Sequence, residues 1–267
     1  MLRDITLGQY YPVDSVIHRL DPRTKLLGTL LFIISLFCMD SAWGYGLAAL
    51  FLAMTIRLSK VPLKFMVRGL KAVLVLLLIS VSFNLFLTPG REIFRLGFLK
   101  ITWEGLRTAV FMAVRLIFLV LGSSVMTLTT TPNNLTDGME SLMKPMRRLH
   151  VPVHEIAMMM SIALRFIPIL LEETDKIMKA QMARGADFDS GNLIQKAKSL
   201  VPLLVPLFIS AFRRAGDLAM AMEARCYRGG EGRTKMKPLI YKRRDGVAFA
   251  VLFLYLAAAV LMGRVLL

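Results

Sequence analysis

Long apolar stretches empty of charge set the first limit on this chain. Leu26–Met39, Trp43–Ile56, Ala72–Leu87 and Val247–Met262 contain no Asp, Glu, Lys or Arg, and Leu106–Leu128 contains no acid. Soluble domains run about 45–50% apolar and about 25% charged. Here 56% of 267 residues are hydrophobic and 19% charged, with a mean hydropathy of +0.60. A soluble α/β enzyme and a disordered chain are both excluded, because this much apolar surface must be hidden and is ample to drive ordering. The net charge of +16 points to the cytoplasmic face of a lipid bilayer and not to nucleic acid. Two cysteines, Cys38 and Cys226, supply neither a disulfide framework nor a four-ligand zinc site. The expected fold is an all-α integral membrane protein.

Charge placement orders and orients the segments. The first 25 residues carry seven charged groups, from Arg3 to Lys25, and read as a cytoplasmic lead-in. The first two apolar segments are each shorter than the ~20 residues of a full span. They read as a tight hairpin, extended by snorkelling Lys25 and Arg57 and anchored by Trp43 and Tyr45. Residues 57–71 hold Arg57, Lys60, Lys64, Arg68 and Lys71 with no acid, and residues 132–245 hold 19 of the 34 basic residues. Lys/Arg excess marks the inside, so the N-terminus, Ser59 and Ser190 are expected in the cytoplasm and Ser41 outside. The expected organisation is transmembrane helices 1–4 in 1–131, a cytoplasmic region with membrane-rooted helices in 132–245, and a last transmembrane helix in 246–267. That makes about five transmembrane helices plus long cytoplasmic helices, in a multi-pass protein of the cell membrane.

Within 132–245, an amphipathic helix is expected over Asn134–Leu149, opened by Thr131-Pro132. Two longer helices begin in apolar runs, Ile156–Leu171 and Leu200–Phe212, and continue as charged segments. One ends at Ala183-Arg184-Gly185 and the other at Ala224-Arg225-Cys226. Pro168, Pro202 and Pro206 are tolerable there where neighbouring helices satisfy the freed backbone groups.

Catalytic and cofactor chemistry is not visible. The chain has no Gly-x4-Gly-Lys-Ser/Thr, and Arg228–Thr234 lacks both the first glycine and the lysine of a phosphate loop. His150 and His154 flank Pro152, which opposes helical i,i+4 metal ligation. No nucleophile, metal cluster or cofactor is expected, so the chain reads as no enzyme. An ion-coupled secondary carrier, or a subunit of one, is the alternative; it would place acids at mid-membrane, and the apolar segments hold none. Arg115 and Arg165 do lie inside apolar runs. A buried polar tie between helices accounts for Arg115 as well as a transport role does.

The two Ala-Arg steps are 41 residues apart. Arginine suits a helix C-terminus through the backbone dipole, and Gly185 suits the left-handed position that ends a helix. Capping does not explain why the same step recurs at the ends of two membrane-rooted helices. A guanidinium offers a planar five-donor fork suited to an acidic groove on a partner.

In order along the chain stand Leu20-Asp21-Pro22-Arg23-Thr24-Lys25, Leu128-Thr129-Thr130-Thr131-Pro132, Pro145–Leu149, Val151–Glu155, Ala163–Pro168 and the two Ala-Arg ends. In that order the sequence resembles the transmembrane T component of energy-coupling-factor transporters, a branch of the ATP-binding-cassette importers. The resemblance implies two cytoplasmic ATPase subunits and a membrane-embedded S component that captures a vitamin or metal ion. It also implies that Ala183, Arg184 and Gly185 dock on one ATPase, and Ala224, Arg225 and Cys226 on the other. Cys226 stands where the family has glycine. Asn134–Leu149 would correspond to the family's first coupling helix.

Overall fold

Asp21 and Pro22 start the first helix. The Asp21 carboxylate accepts from the Arg23 backbone N–H at 2.9 Å, and proline at the first helical position has no N–H to leave unsatisfied. The computed structural model describes residues 10–39, 41–96, 99–186, 188, 192, 198–230, 236 and 238–265. Helix α1 spans Pro22–Phe37, α2 Ala42–Ser59, α3 Leu63–Leu87, α4 Trp103–Thr129 and α5 Pro132–Met143. Helix α6 spans Val153–Ala183, α7 Val201–Ala224 and α8 Arg243–Val265. Side-chain oxygens of Ser41 and Thr102 cap α2 and α4 by accepting from Gly44 and Gly105.

Among the described residues four helices are long and apolar enough to cross a membrane: α2, α4, α6 and α8 up to Met262. Helix α3 adds a fifth if its two parts, bent by 60° between Lys71 and Val73, form one span. The protein is thus an all-α membrane protein, apart from an antiparallel hairpin of β1 (Glu92–Leu96) with β2 (Leu99–Thr102) between α3 and α4. The membership of the spans differs from expectation in one respect. With 16 residues α1 is about 24 Å long, short of the ~30 Å hydrocarbon core. Helix α6 runs unbroken through Pro168 for 31 residues and passes on length and composition.

The chain divides into two compact units. One comprises residues 8–142 and 239–267. Its core is built where α1, α2 and α8 meet: Phe32, Leu36, Ala48, Leu52, Leu252 and Tyr255 are all buried. Phe51 and Tyr255 stack at 4.4 Å, and the Tyr255 hydroxyl shares a 2.8 Å hydrogen bond with Ser35, so this buried phenol is satisfied. Helix α4 packs on this core closely enough that a Cβ at Gly122 would lie 2.8 Å from the Phe32 ring. The outward faces are greasy: Val75, Leu76, Phe83, Phe253, Leu254 and Leu261 are all more than half exposed. Such faces suit hydrocarbon and would be an aggregation hazard in water.

Helix α5 belongs to this unit. Thr131 caps it by accepting from Asn134 N–H, and Thr136 and Gly138 are its buried residues. The expected helix over Asn134–Leu149 is cut short: after Met143 the chain tightens into a 3₁₀ turn over Lys144–Leu149. Pro145 has no N–H to continue the α-helical ladder, and His150 closes the turn at φ 59°.

The other unit, residues 143–238 of the described chain, contains α6 and α7. The Glu173 carboxylate on α6 accepts from the Arg214 guanidinium on α7 at 2.8 and 3.1 Å, and from the Ser210 hydroxyl.

Candidate functional site

The C-termini of α6 and α7 are built alike. At the first, Gly185 N–H donates to Met182 O and Ala186 N–H donates to Gln181 O, both at 3.0 Å, with Gly185 at φ 87°. At the second, Cys226 N–H donates to Glu223 O at 2.8 Å, Tyr227 N–H donates to Met222 O at 3.0 Å, and Cys226 sits at φ 55°. This paired 5→2 and 6→1 pattern is the Schellman cap, which satisfies carbonyls that a helix end would leave open. Cysteine therefore adopts the glycine geometry despite its Cβ, at a cost of about 1–2 kcal/mol for an L residue in that region. Sequence alone could not decide this, since it shows the missing glycine but not whether the turn survives it.

In both caps the arginine is the last residue before the left-handed turn, and both side chains are exposed. Neither Arg184 nor Arg225 meets a hydrogen-bond or ion-pair partner among the described residues. Each lies eleven residues beyond its own helix's member of the Glu173–Arg214 pair, about 16 Å of helix at 1.5 Å per residue. This tie thus stands at equal helical distance behind two similarly capped ends. What this arrangement can do is present two cationic forks on rigid, capped helices.

The two arginines in apolar runs have different surroundings. Arg115 on α4 donates from Nε to the Tyr45 hydroxyl at 2.9 Å and from Nη2 to the Met39 carbonyl at 3.1 Å, with Phe37 beneath the guanidinium. Arg165 is exposed on α6. His150 serves as a turn residue, and among the described residues no group of three or more His, Cys, Asp or Glu could hold a metal ion. Arg228, Gly229 and Gly230 form an irregular turn after α7, and residues 231–235 lie outside the described residues.

Sequence reasoning missed a second polar constellation. Asp245, at the start of α8, is 2% exposed and accepts from Asp21 N–H at 2.8 Å, Lys242 N–H at 2.8 Å and the Thr24 hydroxyl at 3.3 Å. Lys25, also buried, donates to Thr129 O at 2.8 Å and His18 O at 3.2 Å. Arg23 pairs with Asp21, reaches Ser141 on α5 and lies 3.9 Å over the Tyr241 ring. Burial pushes the Asp21 carboxyl up, but the Arg23 guanidinium and backbone N–H outweigh it and hold the group below the ordinary carboxylate range. The run Leu20–Lys25 thereby joins the ends of α1, α4, α5 and α8. The available signal was a lone acid, Asp245, among Lys242, Arg243 and Arg244.

The family described as cobalt transport protein, CbiQ, matches residues 14–236. An energy-coupling factor transporter transmembrane protein EcfT of Thermosediminibacter oceani is 59% identical over 263 residues, covering 98% of this chain and 99% of its own. Proteins of the same name from Ruminiclostridium cellulolyticum and Bacillus subtilis are 53% and 49% identical, covering 99% and 92% of this chain and 99% and 93% of their own.

Proposed function

This chain belongs to the CbiQ cobalt transport family, with the EcfT energy-coupling transmembrane components of ECF transporters, and from that premise we propose how it couples. Two cytoplasmic ATPase subunits dock on it, one through Ala183, Arg184 and Gly185 and the other through Ala224, Arg225 and Cys226. Their ATP-driven movement is carried along α6 and α7 to a membrane-embedded S component that captures a vitamin or metal ion. The chain itself neither binds nor hydrolyses ATP.

The observation that carries this reading is the matched pair of capped, exposed arginines, without a partner among the described residues and tied behind by Glu173 and Arg214. An exposed helix cap needs no fork of five donors; a groove lined with acids does. Helices tied to one another by a partly exposed carboxylate–guanidinium contact would move as one lever. Arg115, bonded to Tyr45 and to a backbone carbonyl, is assigned the role of a tie between helices, and Arg165 that of a contact for the membrane surface or the S component.

The deciding experiment is co-purification with the two ATPases. Arg184→Glu with Arg225→Glu should leave the protein in the membrane but lose both ATPases, because two anchors on one rigid body reinforce each other. Arg→Lys should rescue in part only. Normal capture and normal uptake by the double glutamate variant would overturn the docking assignment. Orientation is tested by cysteine accessibility. Ser59 is fully buried, so its exposed neighbour Lys60 is the better cytoplasmic probe, and Ser41 reports the outside. Ser190 lies outside the described residues, yet labelling there from outside the cell would still overturn the cytoplasmic placement.

A further inference from the structure

Between α1, α2, α4 and α8 lies a cavity of about 260 Å³. Its deep end is apolar and closed by Phe32, Phe51 and Leu252. Its other end carries two cations, Lys25 and Arg244, with Thr24 and Thr129 beside them. Lys25 to Phe32 is seven residues of α1, about 10 Å of depth. The rim is open sideways between α2 and α8: Met54 is 51% exposed and Val247 64% exposed. Both helices are candidate membrane spans, so this opening faces lipid and not water.

We propose that this cavity is a binding site for an anionic phospholipid, with one acyl chain between α2 and α8 and the phosphate at Lys25 and Arg244. Three features select that occupant. The cations stand at the helix ends where the chain's Lys/Arg-rich segments begin, and the apolar end points toward the bilayer interior, which is how a phospholipid is disposed. The Lys25 ammonium has three N–H groups, and Thr129 O and His18 O take two of them. Arg244 is exposed, and Asp14, a carboxylate that feels its charge weakly, is paired with Arg19. Asp245 and Asp21 already offset the Lys25 charge, so Arg244 brings the cation that a phosphate answers and Lys25 brings a hydrogen-bond donor; a neutral helix from another protein would bring Arg244 no anion. Because Lys25 also holds Thr129 and His18, lipid bound here bears directly on the junction of α1 with α4.

The test uses the full chain in nanodiscs containing a phospholipid with a diazirine in mid-acyl position, followed by peptide mapping of the crosslinks. Phosphatidylglycerol should label peptides containing Met54–Leu58 and Val247–Val251 more strongly than phosphatidylcholine does. Arg244→Gln should lower that labelling about fivefold, as expected for one basic group near an anionic surface, and leave phosphatidylcholine labelling unchanged. Ala248→Phe, which fills the cavity from α8, should remove crosslinks there while those on the outer face of α3 persist. Equal labelling by both lipids in the unaltered protein, which needs no variant to fold, would overturn the proposal. So would uniform labelling around all helices, expected of lipid without head-group choice, or labelling that spares Met54–Leu58 and Val247–Val251, expected if a protein segment covers the groove.

Discussion

Asp245 accepts three hydrogen bonds from its own chain while almost wholly buried, whereas Arg184 and Arg225 stand exposed with no partner among the described residues. Both regions are built of charged side chains at helix ends, yet the physics acting on them is opposite. A buried carboxylate is tolerable only when donors surround it, so the base of α1 and α8 is locked by mutual satisfaction. An exposed guanidinium costs the fold little and contributes little to it. Charge of the first kind reports on the chain's own architecture. Charge of the second kind, held on a rigid and repeated scaffold, is intelligible through a partner.

That contrast can be broken by experiment. The largest effect is expected at Asp245. Replacing it by leucine strands the buried Asp21 N–H, the partly exposed Lys242 N–H, the Thr24 hydroxyl and the nearby Lys25 ammonium, and should cost about 3–5 kcal/mol. Loss of folded, monodisperse protein in detergent, or a sharp fall in melting temperature, reads this out; an unchanged melt would show that the buried network is ornamental. Next come the exposed arginines. Arg184→Ala and Arg225→Ala should each change melting by no more than about 0.3–1 kcal/mol, while weakening ATPase capture by about 2–5 kcal/mol, measured by titration of the partners. Stability loss equal to binding loss would erase the distinction drawn between the two regions.

The two caps allow a finer comparison. Cys226→Gly removes a side chain from a φ 55° position and should stabilise the α7 end by about 1 kcal/mol. The converse change, Gly185→Cys at φ 87°, should destabilise the α6 end by a similar ~1 kcal/mol. Hydrogen exchange of Tyr227 and Ala186 amides would report each cap locally. The smallest effect is expected at Glu173→Gln. Its partner Arg214 is 40% exposed, so the pair contributes about 0.5–1 kcal/mol to stability. The readout that matters is the distance between spin labels at the ends of α6 and α7, which should broaden once the tie is cut.

Much of the candidate site was legible in the sequence. The Ala-Arg steps are visible because a short motif recurring at two helix ends survives any packing detail. The helices holding them follow from apolar runs passing into charged ones. The equivalence of Cys226 with Gly185 was not legible, because backbone conformation at a non-glycine residue is set by the carbonyls it must satisfy. Nor was the pairing of Glu173 with Arg214 and Ser210, since α6 and α7 each carry several charged residues and only their packing selects which meet.

The sequence alone determined that this is a helical membrane protein, because uncharged apolar segments have no other stable way to satisfy their backbone and hide their surface. It also marked a helix start at Thr131-Pro132 and a helix end at Gly185, whose effects are local and act through the nearest turn. Tertiary structure decided everything that joins residues distant in the chain. It brought Asp245 onto Asp21 and Thr24, paired Glu173 with Arg214, and opened a cavity beside Lys25 and Arg244. Those outcomes depend on which helix faces which. Hydropathy says only that a face is apolar, and any apolar face will accept another until the polar groups between them must be paired.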